Sequence, residues 1–185
     1  MHCRSSNVYD PGFRQIGNPD LIDKRRRWPV PVSPGGTLGD YVPFYFTSRT
    51  PMLANIKSGY NGVPRTPMRD IAILVASLHD LAEQGVSFLI TDRHALLTAA
   101  RFSGDLAHLD RIDWGILQRS DFRRDPNDPG KVERYQAEAL VHQHLPANRL
   151  RGIISYDGVQ NVHLSGLIRA AGLATRVVTR PQSFV

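Results

Sequence analysis

The chain has 185 residues, 41% of them hydrophobic and 22% charged, which fits one globular domain and not a disordered, collagen-like or coiled-coil chain. No apolar run approaches the roughly 18 residues that span a bilayer, and the start, Met1-His2-Cys3-Arg4-Ser5-Ser6, lacks the apolar centre of a signal peptide. Lys and Arg total 23 against 17 Asp and Glu, a net charge of +6 that favours nucleic-acid partners.

Residues 1–40 are rich in Pro and Gly and read as irregular, except for one short helix over 18–27 with Asn18 as N-cap and Pro19 at its first position. Tyr41-Val42-Pro43-Phe44-Tyr45-Phe46 reads as an aromatic strand broken early by Pro43. A short helix follows Pro51, and Ile71–Ala76 reads as a buried strand. Asp80–Gln84 is a short helix closed by Gly85, Phe88–Asp92 a strand, and Arg93–Ala100 a helix. Asp113–Leu117 reads as a turn or short helix, and Asp121–Lys131, with Pro126, Pro129 and Gly130, as a loop. Strands over 138–142, 152–156 and 175–178 and a helix over 159–171 complete the chain. Strands and short helices mix without regular βαβ spacing, so the expected class is α+β, built as one domain over 1–185.

Common signatures are absent: no Walker loop, no dinucleotide-binding glycine fingerprint and no paired-histidine zinc motif. Gly35-Gly36-Thr37-Leu38-Gly39 precedes a strand and is weak as a phosphate cradle. His142 and His144 would share a strand face, but surface or core histidines are the simpler reading. The single cysteine, Cys3, can form neither an internal disulfide nor a multi-cysteine zinc site. No metal is expected, and the expected location is the cytoplasm.

Two stretches carry chemistry. In 40–52, four aromatics stand beside Arg49, either as a core strand with a surface arginine or as an aromatic cleft whose arginine forks a phosphate. In 122–141, a basic loop runs into an apolar strand that bears Glu138 among Ala137, Ala139, Leu140 and Val141. A carboxylate there is costly to desolvate without a partner or a function, although a salt-bridged edge residue would also satisfy it. Gln136 and Glu138, two apart, would share one strand face.

In this order the stretches resemble the DarT family of DNA ADP-ribosyltransferase toxins. The resemblance rests on Asp40–Phe46 followed by Arg49-Thr50-Pro51-Met52, then Phe88–Ala95, Leu109–Trp114 and Arg134–Val141. Gly17-Asn18-Pro19 and the segment 25–36 belong to the same pattern, which covers roughly 15–157. It implies a split, mostly antiparallel ADP-ribosyltransferase sheet that clasps NAD⁺ as co-substrate. It also implies transfer of ADP-ribose to a base, typically thymine, in single-stranded DNA, and a DarG-like macrodomain antitoxin as partner. Glu138 would be catalytic and Arg49 would contact NAD⁺, with Tyr41, Phe44 and Tyr45 lining the cofactor site. The substrate-recognition loop would be 122–135, with Arg123, Arg124, Lys131 and Arg134 on phosphates and Tyr135 or Phe122 stacking a base. In the family a histidine-bearing first strand lies upstream of the region matched here, and His2 is the only histidine before His79. The chain is therefore expected to begin at an internal methionine, with a strand edge exposed. A non-catalytic single-strand-binding module, or an ADP-ribosyltransferase acting on RNA or protein, is the alternative.

Overall fold

The computed structural model describes residues 1–8 and 12–184. Its first helix, α1 (Pro19–Arg27), starts as the sequence predicts: the Asn18 side chain accepts from the Leu21 N–H, and Pro19 occupies the first turn, where an N–H would lack a partner anyway. From Trp28 to Asp40 the chain folds back on itself. The Leu38 amide donates to the Trp28 carbonyl and the Val30 amide to the Gly36 carbonyl. Gly36 has a φ of +76°, and a Cβ there would meet Asp40 Oδ2 at 2.6 Å, so both strain and crowding demand glycine.

The strands are β1 (Tyr41–Tyr45), β2 (Ile73–Val75), β3 (Phe88–Thr91), β4 (Phe102–Ser103), β5 (Glu138–His142), β6 (Gly152–Ser155) and β7 (Arg176–Thr179). They form two sheets. The larger is antiparallel in the order β1-β5-β3-β4; the smaller has the order β2-β6-β7, with β6 and β7 parallel. Pro43 does not break β1. The strand runs through it because β1 lies at the sheet edge, where a missing N–H leaves no ladder bond unmade. The remaining helices are α2 (Pro51–Ser58), α3 (Leu78–Glu83), α4 (Trp114–Arg119), α5 (Lys131–Tyr135) and α6 (Gly158–Ala170), and β6-α6-β7 is the one βαβ unit among the described residues.

Three expectations need correcting. The strand expected over 71–76 shrinks to β2, which is only half-buried and ends on an exposed Val75. Residues 93–100 form turns, not a helix. Their backbone is committed elsewhere: the His94 amide donates to the Glu133 carbonyl, the Ala95 amide to Glu138 and the Leu96 amide to the His94 ring. The loop expected over Asp121–Lys131 is present up to Gly130, but α5 follows it, so Gln136 caps a helix, stands outside β5 and does not share a strand face with Glu138.

Burial centres on β3 and β5. Leu89, Leu140 and Val141 are fully buried, with Tyr41 and Leu38 on one side of the sheet and Leu81, Ile116 and Tyr135 on the other. A separate cluster joins α2 to the C-terminal turn through Leu53, Ile56 and Phe184. Residues 1–5 lie against the larger sheet: His2 pairs with His144, the Cys3 amide donates to the Gln143 carbonyl and the Ser5 amide to the Gly39 carbonyl.

Candidate active site

Glu138 opens β5 between β1 and β3, with Tyr45 and Thr91 as its register partners. Its side chain is 3% exposed, and burying a carboxylate is costly unless it is paired and hydrogen-bonded. Here it is both. Arg25 of α1 reaches across 113 residues of sequence and donates from Nη1 to both oxygens, at 3.2 and 2.9 Å. The Ala95 amide donates to Oε1 at 3.1 Å. The Glu138 amide in turn donates to Thr91 Oγ1, which fixes the start of the strand.

His94 closes the site, its Nδ1 4.0 Å from Glu138 Oε1. Because Nδ1 accepts from the Leu96 amide at 3.1 Å, the ring proton sits on Nε2 and the imidazole is neutral. Burial, helped by the Arg25 charge, holds its pKa below the ordinary histidine range, against the pull of Glu138 and Glu133. Burial also pushes the Tyr45 phenol well up, and the Glu138 charge adds to it. Arg25 Nη2 is buried with no hydrogen-bond partner among the described residues. An orphaned guanidinium N–H beside a carboxylate suits a ligand that brings anionic or hydroxyl oxygens, as the diphosphate and riboses of NAD⁺ do.

The structure brings some expected residues to Glu138 and leaves others away. Tyr45 is adjacent. Tyr41 is a core residue at the far end of β1, its hydroxyl on the Gly35 carbonyl. Phe44 points to the opposite face, into an apolar cleft of about 450 Å³ between the sheets. Arg49 is not at the carboxylate: its Nε and Nη2 donate to the Gln182 carbonyl at 3.3 and 3.2 Å.

In the expected DNA loop, Arg123 and Lys131 both hold Asp121, at 3.0 and 2.9 Å. Arg134 holds Asp113 and Asp128. The two cations on Asp121 keep its carboxyl well below the usual carboxylate range, and Arg134 does the same, less strongly, for Asp128. Arg124 is exposed. Tyr135 is 0% exposed, its hydroxyl on the Arg49 carbonyl at 2.7 Å, so its ring offers no face to a base and the expected stacking role is corrected. Phe122 packs against that ring.

The sequence reading missed Arg25, His94 and the Ala95 amide. A run of four cations over 24–27 looks like a solvated helix face, and nothing local distinguishes the one that turns inward.

The family model described as "ssDNA thymidine ADP-ribosyltransferase, DarT" matches residues 1–185. A DNA ADP-ribosyl transferase from Escherichia coli O127:H6 (strain E2348/69 / EPEC) is 49% identical over 180 residues, spanning 97% of this chain and 83% of that protein. Among solved structures, Thermus sp. 2.9 DarT in complex with ADP-ribosylated ssDNA superposes over 100% of this chain and 87% of its own, with a TM-score of 0.91 at 30% identity. The same protein in complex with NAD+ gives 0.82 at 32% identity, over 100% of this chain and 87% of its own. The buried carboxylate, its arginine partner and the split sheet thus sit in a chain that belongs to the DarT family.

Proposed function

We propose that this chain transfers ADP-ribose from NAD⁺ to a thymidine in single-stranded DNA, with Glu138 as the catalytic carboxylate and its partner Arg25, in place of Arg49, as the arginine that meets the NAD⁺. The observation that carries the reading is a carboxylate buried on the central sheet and held through both oxygens by one arginine nitrogen, Nη1, while the other, Nη2, has no partner among the described residues. When bound, NAD⁺ supplies the ADP-ribosyl group, with positive charge growing on the anomeric carbon as its bond to nicotinamide breaks.

Glu138 stabilises that charge, because a fixed anion in a site shielded from water acts far more strongly than one in bulk solvent. It also accepts from a ribose hydroxyl and so orients the sugar. Arg25 holds the carboxylate in place and aims Nη2 at the oxygens of the donor. Its fixed charge also favours loss of the proton from the attacking base nitrogen, which leaves to solvent as the new bond forms. Neutral His94 adds no competing cation beside Glu138. Tyr45, next to Glu138, walls the donor side.

The chain works in the cytoplasm, where DNA lies within reach; no helix among the described residues is long and apolar enough to cross a membrane. A macrodomain antitoxin of the DarG kind is its partner and removes the modification. The test is the intact mass of a thymine-containing oligonucleotide incubated with the chain and NAD⁺. A gain of one ADP-ribose, absent with Glu138→Gln, is expected. No gain, or the same gain with the variant, contradicts the reading.

A further inference from the structure

Thr91 ends β3 opposite Glu138 in the sheet register, so both side chains stand on one face of the sheet. It is fully buried, and a hydroxyl is kept away from water only where it is hydrogen-bonded. Its Oγ1 lies 2.8 Å from the Arg93 carbonyl and 3.4 Å from the Glu138 carbonyl. A hydroxyl has one proton to give, and the shorter contact takes it. The lone pairs that remain accept from the Glu138 amide at 3.1 Å. Thr91 thus joins the backbone that carries the carboxylate to the backbone of the turn after β3.

That turn delivers the Ala95 amide to Glu138. A trans peptide is planar, with its C=O and N–H on opposite sides. Between Arg93 and His94 the carbonyl is taken by Thr91, and the amide donates to the Glu133 carbonyl at 2.9 Å. The plane is therefore fixed from both sides, and the next amide, that of Ala95, falls on Glu138 Oε1 at 3.1 Å. Asp92 closes the far end of the turn separately, its Oδ1 accepting from the Arg101 amide at 3.0 Å. Arg25 reaches the carboxylate through a long side chain, whereas the Ala95 amide has only the backbone to place it.

Resting on the function proposed above, the geometry points to Thr91 as a positioning residue for the transfer: its hydroxyl sets the peptide that aims the Ala95 amide at Glu138, and so sets how the carboxylate meets the charge growing on the sugar. Being buried, it touches neither NAD⁺ nor DNA. Threonine suits the place twice, since its branched Cβ fits a strand and its oxygen both donates and accepts. Valine has nearly the same shape and does neither.

The experiment compares Thr91→Val, Thr91→Cys and Thr91→Ser with the wild-type chain in two readouts. The first is the Ala95 amide proton resonance of the isotope-labelled chain, without NAD⁺ or DNA. It is expected to move upfield in Thr91→Val as the bond to the carboxylate lengthens. The shift should be smaller in Thr91→Cys, whose thiol donates and accepts weakly, and absent in Thr91→Ser. The second readout is the kinetics of transfer. In Thr91→Val kcat should fall about tenfold or more, as for a misplaced reacting group. The KM for NAD⁺ should stay within about twofold, the pattern of a group that acts in the transition state. Thr91→Ser should recover most of the rate, whereas a role in packing alone would be met by valine and not by serine. Thr91→Cys keeps the comparison open if the valine chain does not fold. A folded Thr91→Val or Thr91→Cys chain with the wild-type Ala95 resonance overturns the assignment. So does a serine chain that loses as much rate as the valine chain, or a rise in KM with kcat unchanged. The resonance needs no substrate, so it decides whether Thr91 aims the amide even where the wild-type chain transfers nothing, a result that counts against the proposed function alone.

Discussion

At the residue scale, Glu138 and Arg25 hold each other in place, and the two cannot be perturbed separately. Glu138→Ala strands the Arg25 charge in a mostly buried position and leaves the Ala95 amide without its acceptor, a loss of about 3–5 kcal/mol. Glu138→Gln retains one oxygen for that amide and should cost less while still abolishing transfer. Chemical denaturation of the two variants, read beside their transfer rates, checks this; equal stability of Glu138→Ala and wild type would contradict it. His94 adds a dependence on pH. Its pKa in the fold lies below the ordinary 6.5, so as pH falls through about 6.5 the unfolded chain binds a proton that the folded chain does not. Stability therefore drops in acid. His144 is shifted in the same direction, so His94→Gln should flatten the slope of the unfolding midpoint between pH 7.5 and 5.5 without removing it. An unaltered slope would contradict a neutral, buried His94.

At the element scale, the loop before α5 is ordered by its own charges, and Asp121 is the knot. Asp121→Ala releases Arg123 and Lys131 and makes the segment net positive, so affinity for single-stranded DNA at low salt should rise a few-fold and the gain should vanish with added salt. Anisotropy at two ionic strengths measures it; a fall in affinity would show that the ordered loop itself contacts the strand. The same elements show what could be read in advance. β5 and β3 were legible because short, strongly apolar runs have few other places to go in a chain of this size, and α1 because Asn18-Pro19 is a start signal that the structure uses. The segment 93–100 was not: Ala95-Leu96-Leu97 favours a helix, but the Ala95 and Leu96 amides are taken by Glu138 and His94. Propensity yielded to partners distant in sequence. Tyr135 misled for the same reason, since only α5 turns that ring into the core.

At the scale of the whole molecule, the split sheet was readable and Glu138 stood out as a carboxylate in an apolar strand, but the arginine that pairs with it did not. Arg25 and Arg49 stand in stretches that both bear the family resemblance, and charge alone does not choose between them. In the fold they part. Arg25 enters the centre of the larger sheet through Glu138, whereas Arg49 ties the exit of β1 to the C-terminal turn, its guanidinium on Gln182 and its carbonyl under Tyr135. The direct test of the account compares transfer rates of Arg25→Lys and Arg49→Ala on one oligonucleotide at saturating NAD⁺. Lysine can still pair with the buried carboxylate through one nitrogen but lacks the second guanidinium nitrogen, Nη2, that is left over for the donor, so Arg25→Lys should lose about 10²-fold or more, as for removal of a donor aimed at developing charge. Arg49→Ala should stay within about tenfold of wild type. Near-normal transfer by Arg25→Lys, with transfer abolished in a folded Arg49→Ala, would contradict the account and return the arginine's role to Arg49.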